Sequence, residues 1–176
     1  MTITPNGYFD DIKELFRKTD EKMQETDRKL KELGQQLGRL GNRLGEFVEE
    51  LIKPALVRLF SERGIAVHQI HQDVEAKREG LAAEFDLLVV NDEDVIAVEV
   101  KSKLSEAHVD EHIERLAKFR RLFPKYSDAR LLGAVAAMVI PDDAAQYAFK
   151  HGFFVIGQKG DTAILLNDPA FQPTAF

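Results

Sequence analysis

The chain has 176 residues, 44% of them hydrophobic and 31% charged, with a formal net charge of -6 at pH 7. That length carries one domain with a buried core plus an accessory element. With no cysteine, a disulfide framework, thiolate chemistry and a cysteine zinc site are excluded, and the acidity argues against tight, nonspecific binding to phosphate backbones, which needs clustered Lys and Arg.

From Phe9, steps of three and four residues alternate without error through Ile12, Phe16, Thr19, Met23, Thr26, Leu30, Leu33, Leu37, Leu40, Leu44 and Phe47 to Leu51. A single amphipathic helix rarely holds a 3.5-residue period this long, because its stripe drifts, so the seam predicts partner helices. With Phe9 at position a, the e positions Asp20 and Asp27 are acidic and the g positions Lys22 and Lys29 are basic. A parallel pair sets Lys22 against Asp27 of the other chain, whereas an antiparallel pair sets like against like, so a parallel homo-oligomer is expected. Gly34, Gly38, Gly41 and Gly45 interrupt the helix at about 1 kcal/mol each relative to alanine. A weakened helix, close approach by a partner helix and a hinge all fit them.

Residues 46–60 continue as helix toward Gly64, with Pro54 kinking it or starting a new segment. Residues 65–76 alternate as a first strand. Its His68 and His71 read as surface or core histidines, since no second cluster offers a zinc site. Lys77-Arg78-Glu79-Gly80 makes a turn. Two β-branched apolar runs follow, 83–90 and 95–101, split by the polar turn Asn91-Asp92-Glu93-Asp94. Ser105 is placed to cap a helix running to Leu122, with Val109, Ile113, Leu116, Phe119 or Arg120, and Phe123 as its buried stripe. Residues 131–140 form a buried central strand. Asp142 is expected to cap a short helix ending at Lys150; a terminal hairpin (153–157 and 162–166) and a surface tail from Asn167 complete the chain.

Asp86, Glu99 and Lys101 stand in strands that otherwise avoid charge, and burying ionisable groups is costly unless they pair or hold a metal. Glu99 and Lys101, two apart, share a face, and an antiparallel hairpin brings Asp86 level with them. Two carboxylates and an ammonium then converge, the groups a hard divalent cation and an activated water require. A satisfied salt bridge is the ordinary reading of any one such pair, but the triplet favours a site. Glu84, two residues before Asp86, is a further candidate ligand, direct or through water.

Asp86, followed after a turn by Glu99-Val100-Lys101, resembles the D…ExK signature of the PD-(D/E)XK nuclease superfamily, with Phe85 where a proline often precedes the aspartate. The order helix, three strands, helix, strand, helix, strands is similar to that fold. The whole layout resembles an uncharacterised bacterial family with a coiled coil ahead of this core. The resemblance implies an α/β protein with a restriction-endonuclease-like mixed central sheet flanked by helices, preceded by a long N-terminal coiled-coil helix. The expected division is a stalk of residues 1–45 and a nuclease-like head of residues 46–176. Asp86, Glu99 and the Val100 carbonyl are implied as ligands of Mg²⁺ or Mn²⁺, and Lys101 as the group that positions or activates water. In that fold the first core helix often adds a glutamate, and Glu49, on a face with Ile52, Leu56 and Phe60, is the choice. Lys103, Arg115, Lys118 and Arg121 are the candidates for facing nucleic-acid phosphates, although cations near a helix C-terminus also serve its dipole.

The expected function is therefore metal-dependent hydrolysis of phosphodiester bonds, in DNA more than RNA. Its rival is a catalytically inactive nuclease-like scaffold on a coiled coil that binds a protein or nucleic acid. A third reading is an unrelated α/β domain whose charges form an ion-pair network, which non-adjacent motif strands would favour. No apolar run approaches a membrane span and the first residues lack a signal peptide's pattern, so a cytoplasmic location without membrane contact is expected.

Overall fold

The computed structural model of the chain describes residues 5–176, with side chains from residue 11 onward except those of Asn42 and Glu49. Phe9 and Glu49 therefore lie outside the described side chains. Helix α1 spans Pro5–Glu46. The chain divides into two compact units, Met1–Arg43 and Leu44–Phe176.

In the first unit the helix carries its apolar seam bare. Ile12, Phe16, Met23, Leu30, Leu33, Leu37 and Leu40 are all exposed, from 41% at Ile12 to 67% at Phe16. Ion pairs one turn apart, Arg17–Glu21, Lys18–Glu14 and Lys29–Glu25, cover other faces and add a few tenths of a kcal/mol each. The threonines inside the seam turn their hydroxyls back onto the helix, Thr19 to the Leu15 carbonyl and Thr26 to that of Lys22, both at 2.8 Å. Nothing lies within 4 Å of a Cβ added at Gly34, Gly38 or Gly41. Gly38→Ala is accordingly expected to raise the helix's stability by about 1 kcal/mol, read from thermal melts of the helical circular dichroism. A loss instead would show that a neighbouring helix abuts this position.

The second unit begins with a π-helical segment, Phe47–Ile52, followed by α2, Lys53–Ser61. Pro54 accounts for the break: it has no N–H to donate to the turn before it, and at this point the Lys53 N–H reaches back five residues to the Val48 carbonyl. Gly64, at φ +74°, ends the helix with a left-handed turn.

Six strands follow: β1 (Gln69–Arg78), β2 (Leu81–Val90), β3 (Asp94–Lys103), β4 (Arg130–Val139), β5 (Phe154–Lys159) and β6 (Thr162–Leu165). Helix α3 (Glu106–Leu122) joins β3 to β4, and α4 (Asp142–Lys150) joins β4 to β5. The sheet order is β1-β2-β3-β4-β5-β6, with β3, β4 and β5 parallel to one another and the other neighbours antiparallel. The unit is thus α/β with a mixed six-stranded sheet. Leu87, Val89, Ile96, Val98 and Leu132 pack one face against Ile52, Leu56 and Phe60. Leu88, Val95, Ala97 and Val135 pack the other against Val109, Leu116 and Phe119 of α3 and Ala148 of α4. Burial on both faces explains why β3 and β4 read as continuous apolar runs.

Three local expectations are corrected. The first strand starts at Gln69, not Ile65, because residues 65–68 run extended without a full ladder partner. The N-cap of α4 is Pro141, with Asp142 inside the first turn, where its charge faces the helix dipole instead of capping an N–H. On α3 the fully buried stripe is Val109, His112, Leu116 and Phe119 with Leu122 beside it, while Ile113 and Phe123 are only half-buried. The segment from Asn167 lies on the surface as expected and is tied down at both ends: Asn167 is buried and bonded to Val155 and Phe153, the Phe176 N–H donates to the Leu131 carbonyl, and the Phe176 ring packs 5.2 Å from Phe153.

The β1–β2 turn has Glu79 at φ +52° before Gly80 at +77°. Two left-handed central residues suit Asn-Gly, and glutamate is strained there. Both ion pairs of Glu79, to Arg78 and Arg121, are solvent-exposed and worth little. Glu79→Asn is expected to stabilise the fold by up to about 1 kcal/mol, seen as a higher urea midpoint at unchanged slope.

Candidate functional site

The β2–β3 ladder pairs Val90 with Val95, Val89 with Ile96, Leu88 with Ala97 and Leu87 with Val98, and stops there. The motif strands are therefore adjacent, and one step further the register sets Asp86 opposite Glu99. The β1–β2 ladder is interrupted at the same level. Asp73, across from Asp86 on β1, has φ +50°, and the 73–86 pair is skipped in a ladder otherwise in register. Side-chain alternation breaks at the same point, since Phe85 packs with Leu88 on the α3 face while Leu87 packs on the other.

A strand N–H left without a ladder partner must be satisfied some other way. Asp86 supplies the acceptor: its Oδ2 takes the Val100 N–H at 2.6 Å. In an antiparallel ladder one residue offers N–H and C=O to the same neighbour, so the Val100 carbonyl shares the edge that Asp86 caps. Burial, and next the charge of Glu99, raises the Asp86 pKa above the ordinary value; the Val100 bond and the charges of Lys101 and Arg115 pull against them.

Glu99 is buried, at 1% side-chain exposure, on the α3 face. Its Oε1 is ion-paired to the Lys101 ammonium and, at 2.7 Å, to Arg115 Nη2. Burial would raise the Glu99 pKa, but the Lys101 bond and then the Arg115 charge outweigh it and hold the carboxyl below the ordinary value. Both carboxylate oxygens are enclosed without a hydrogen-bond partner among the described residues, but Oε1 lies against two cations, whereas Oε2 faces His112 Nδ1 at 4.0 Å, itself without a partner.

His112 was not legible as a site residue. It is wholly buried, and its Nε2 bonds to the Ala97 carbonyl at 3.0 Å, so Nε2 must carry the proton and Nδ1 an open lone pair. Burial holds the imidazole pKa down at about 4 despite that bond. The available signal was position: His112 lies three residues after Val109 and four before Leu116, on the apolar stripe.

The structure thus brings together Asp86, Glu99, Val100 and Lys101, and adds Arg115 and His112. Arg115 serves Glu99, where a phosphate-facing role was expected. Lys103 and Arg121 are exposed, Lys118 is half-buried, and none of the three has an ion pair to Asp86 or Glu99. Glu84 is exposed and stands across from Glu75 of β1. Glu49 falls in the π-helical segment.

A family model matches residues 8–80. Its description is a protein of unknown function, DUF3782. The match takes in α1, the π-helical segment, α2 and β1, and ends before Asp86. No curated protein matches. Among solved structures, the crystal structure of a protein of unknown function, AF1548, is similar over 61% of this chain at 17% identity and a TM-score of 0.38. The chain spans 58% of that protein's length. At that distance the likeness bears on neither fold nor function.

Chemically, the donor set is hard: two carboxylates and a backbone carbonyl, with the Glu99 Oε2 oxygen buried and lacking a donor. Among the described residues no three His, Cys, Asp or Glu side chains form a cage. Magnesium does not need one, because it keeps several waters and takes one or two carboxylates. The residues present fit such an ion. Among the described residues no helix is long and apolar enough to cross a membrane.

Proposed function

We propose that this chain is a metal-dependent nuclease of the restriction-endonuclease-like type, hydrolysing phosphodiester bonds in nucleic acid, DNA more than RNA. The reading is carried by one observation: Asp86 caps the free Val100 N–H where the register brings it level with Glu99, and Lys101 sits on that same carboxylate. Asp86, Glu99 and the Val100 carbonyl would hold Mg²⁺ or Mn²⁺, which supplies Lewis-acid polarisation of the phosphate and a lowered pKa for a bound water. Lys101, 29% exposed, is the cation of the cluster that water and substrate reach most readily. Its ammonium is suited to orient the attacking water or to face the charge that develops on phosphorus oxygens. The outer-shell role of Glu49 belongs to the proposal. So do Lys103, Lys118 and Arg121 as phosphate contacts, and a cytoplasmic location.

The same reading includes a parallel homo-oligomer through α1. The bare seam supports it. So do Lys22 and Asp27, neither of which has an ion pair within the described chain, leaving both for the g-to-e contact of a parallel pair. Two heads held together would reach both strands of one duplex.

One observation favours the scaffold alternative: Glu99 already has two cations, which a purely structural ion-pair network would also give. The readings separate in the test tube. The nuclease reading expects Mg²⁺- or Mn²⁺-dependent cleavage of DNA or RNA that Lys101→Ala reduces by at least about a hundredfold. It also expects calorimetric Mn²⁺ binding that Glu99→Ala weakens. No cleavage of any nucleic acid, together with identical Mn²⁺ titrations for wild type and Glu99→Ala, leaves the scaffold.

A further inference from the structure

We propose that Lys101 is an internal counter-ion of Glu99, displaced when a divalent cation enters, while Arg115 remains and holds the carboxylate in place; this rests on the metal-dependent reading above. The charge count motivates it. With both carboxylates ionised, Asp86 and Glu99 carry two negative charges and Lys101 and Arg115 two positive ones, while His112 is neutral near pH 7. The cluster closes its charge with no further ion. A divalent cation therefore leaves it two charges in excess, in a place where water screens poorly, and one resident cation must withdraw.

Lys101 is the cheaper to move. Its side chain is 29% exposed and its ammonium is not among the enclosed, partnerless atoms, so it exchanges the carboxylate for water. The Nε and Nη2 atoms of Arg115 are enclosed without a hydrogen-bond partner, and Glu99 is the acidic group against Nη2. Withdrawing Arg115 strands a guanidinium inside the fold. Glu99 Oε2 is the coordinate left open for the incoming ion. It is buried, receives no hydrogen bond, and faces the His112 Nδ1 lone pair, which repels the carboxylate and attracts a cation. The freed ammonium then stands beside the loaded site, so the lysine is presented to phosphate only when a cation is bound.

The test uses the 176-residue chain and the metal alone. By calorimetry with MnCl₂, Lys101→Met binds on the order of tenfold more tightly than wild type, because one like charge is gone, and Arg115→Met shows no such gain. In wild-type protein carrying ¹³Cε-labelled lysines, MgCl₂ moves the Lys101 resonance, assigned with Lys101→Arg, toward that of a solvent-exposed lysine. Equal or weaker Mn²⁺ binding by Lys101→Met, or a Lys101 signal that stays put at saturating Mg²⁺, overturns the displacement and leaves the metal reading intact. If wild type gives no Mn²⁺ heat, the metal reading falls and takes this one with it. Should Lys101→Met fail to fold, the wild-type resonance decides.

Discussion

Glu99→Ala is expected to lower the unfolding free energy by about 3 kcal/mol, read from urea titrations in EDTA. The carboxylate is 1% exposed and carries two cations, Lys101 and Arg115. Removing one partner of a buried ion pair costs about 3–5 kcal/mol, because the other charge is left in a poor solvent. The lower end applies here, since Lys101 and Arg115 are 29% and 24% exposed and regain some water. Most of the loss falls on Arg115, whose Nε and Nη2 are enclosed. Adding Arg115→Leu to Glu99→Leu should therefore return part of the stability, the mark of an interaction energy between neighbours. A loss below about 1 kcal/mol for Glu99→Ala would mean that both cations rehydrate freely and that the cluster is effectively a surface network.

Much of this arrangement was legible in the residues, for identifiable reasons. Two β-branched apolar runs on either side of the polar turn at residues 91–94 located β2 and β3, and pairing them as an antiparallel hairpin brought Asp86 level with Glu99. The N-cap Ser105 was visible because a short hydroxyl side chain before a helical stripe has one efficient use, here accepting from the His108 N–H. The interruption at Asp73 and Asp86 was not visible: neither residue is a glycine, so nothing flags a left-handed φ or an interrupted ladder. The pairing of Arg115 with Glu99 was not visible, because a long side chain on a mixed helix face can reach solvent or fold under the sheet. Its neighbours alone do not say which; the buried Glu99 does. His112 was passed over because an ionisable residue on an apolar stripe reads as an interruption. Its membership depends on a carbonyl, that of Ala97, which comes from another element. The C-terminal segment looked like a tail because its prolines and polar residues outweigh Phe171 and Phe176, the two rings that anchor it.

His112 makes the fold sensitive to mild acid, and the sign follows from the direction of its shift. Burial holds the folded-state pKa at about 4, against an unfolded value near 6.5. Between those values the unfolded chain takes up a proton that the fold refuses. The stability this histidine protects is thus complete above about pH 6.5 and is lost as pH falls toward 4. The window corresponds to about 3 kcal/mol. Other groups facing the ring set the boundaries of the measurement. Glu99, shifted down, removes stability only as pH falls below its ordinary 4.5, and Asp86, shifted up, works the other way, favouring the fold as it protonates. The positive charges of Arg115 and Lys101 oppose protonation of the ring. Between about pH 6.5 and 4.5 Glu99 contributes nothing, and the Asp86 contribution is common to wild type and to a variant lacking the imidazole. Urea midpoints of EDTA-treated wild type should therefore fall across this interval relative to those of His112→Phe, because phenylalanine fills the same space between Phe85 and Phe153 without a site to titrate. Parallel slopes for the two proteins would show that the ring is protonated inside the fold, with Glu99 Oε2 as its partner in place of an open oxygen.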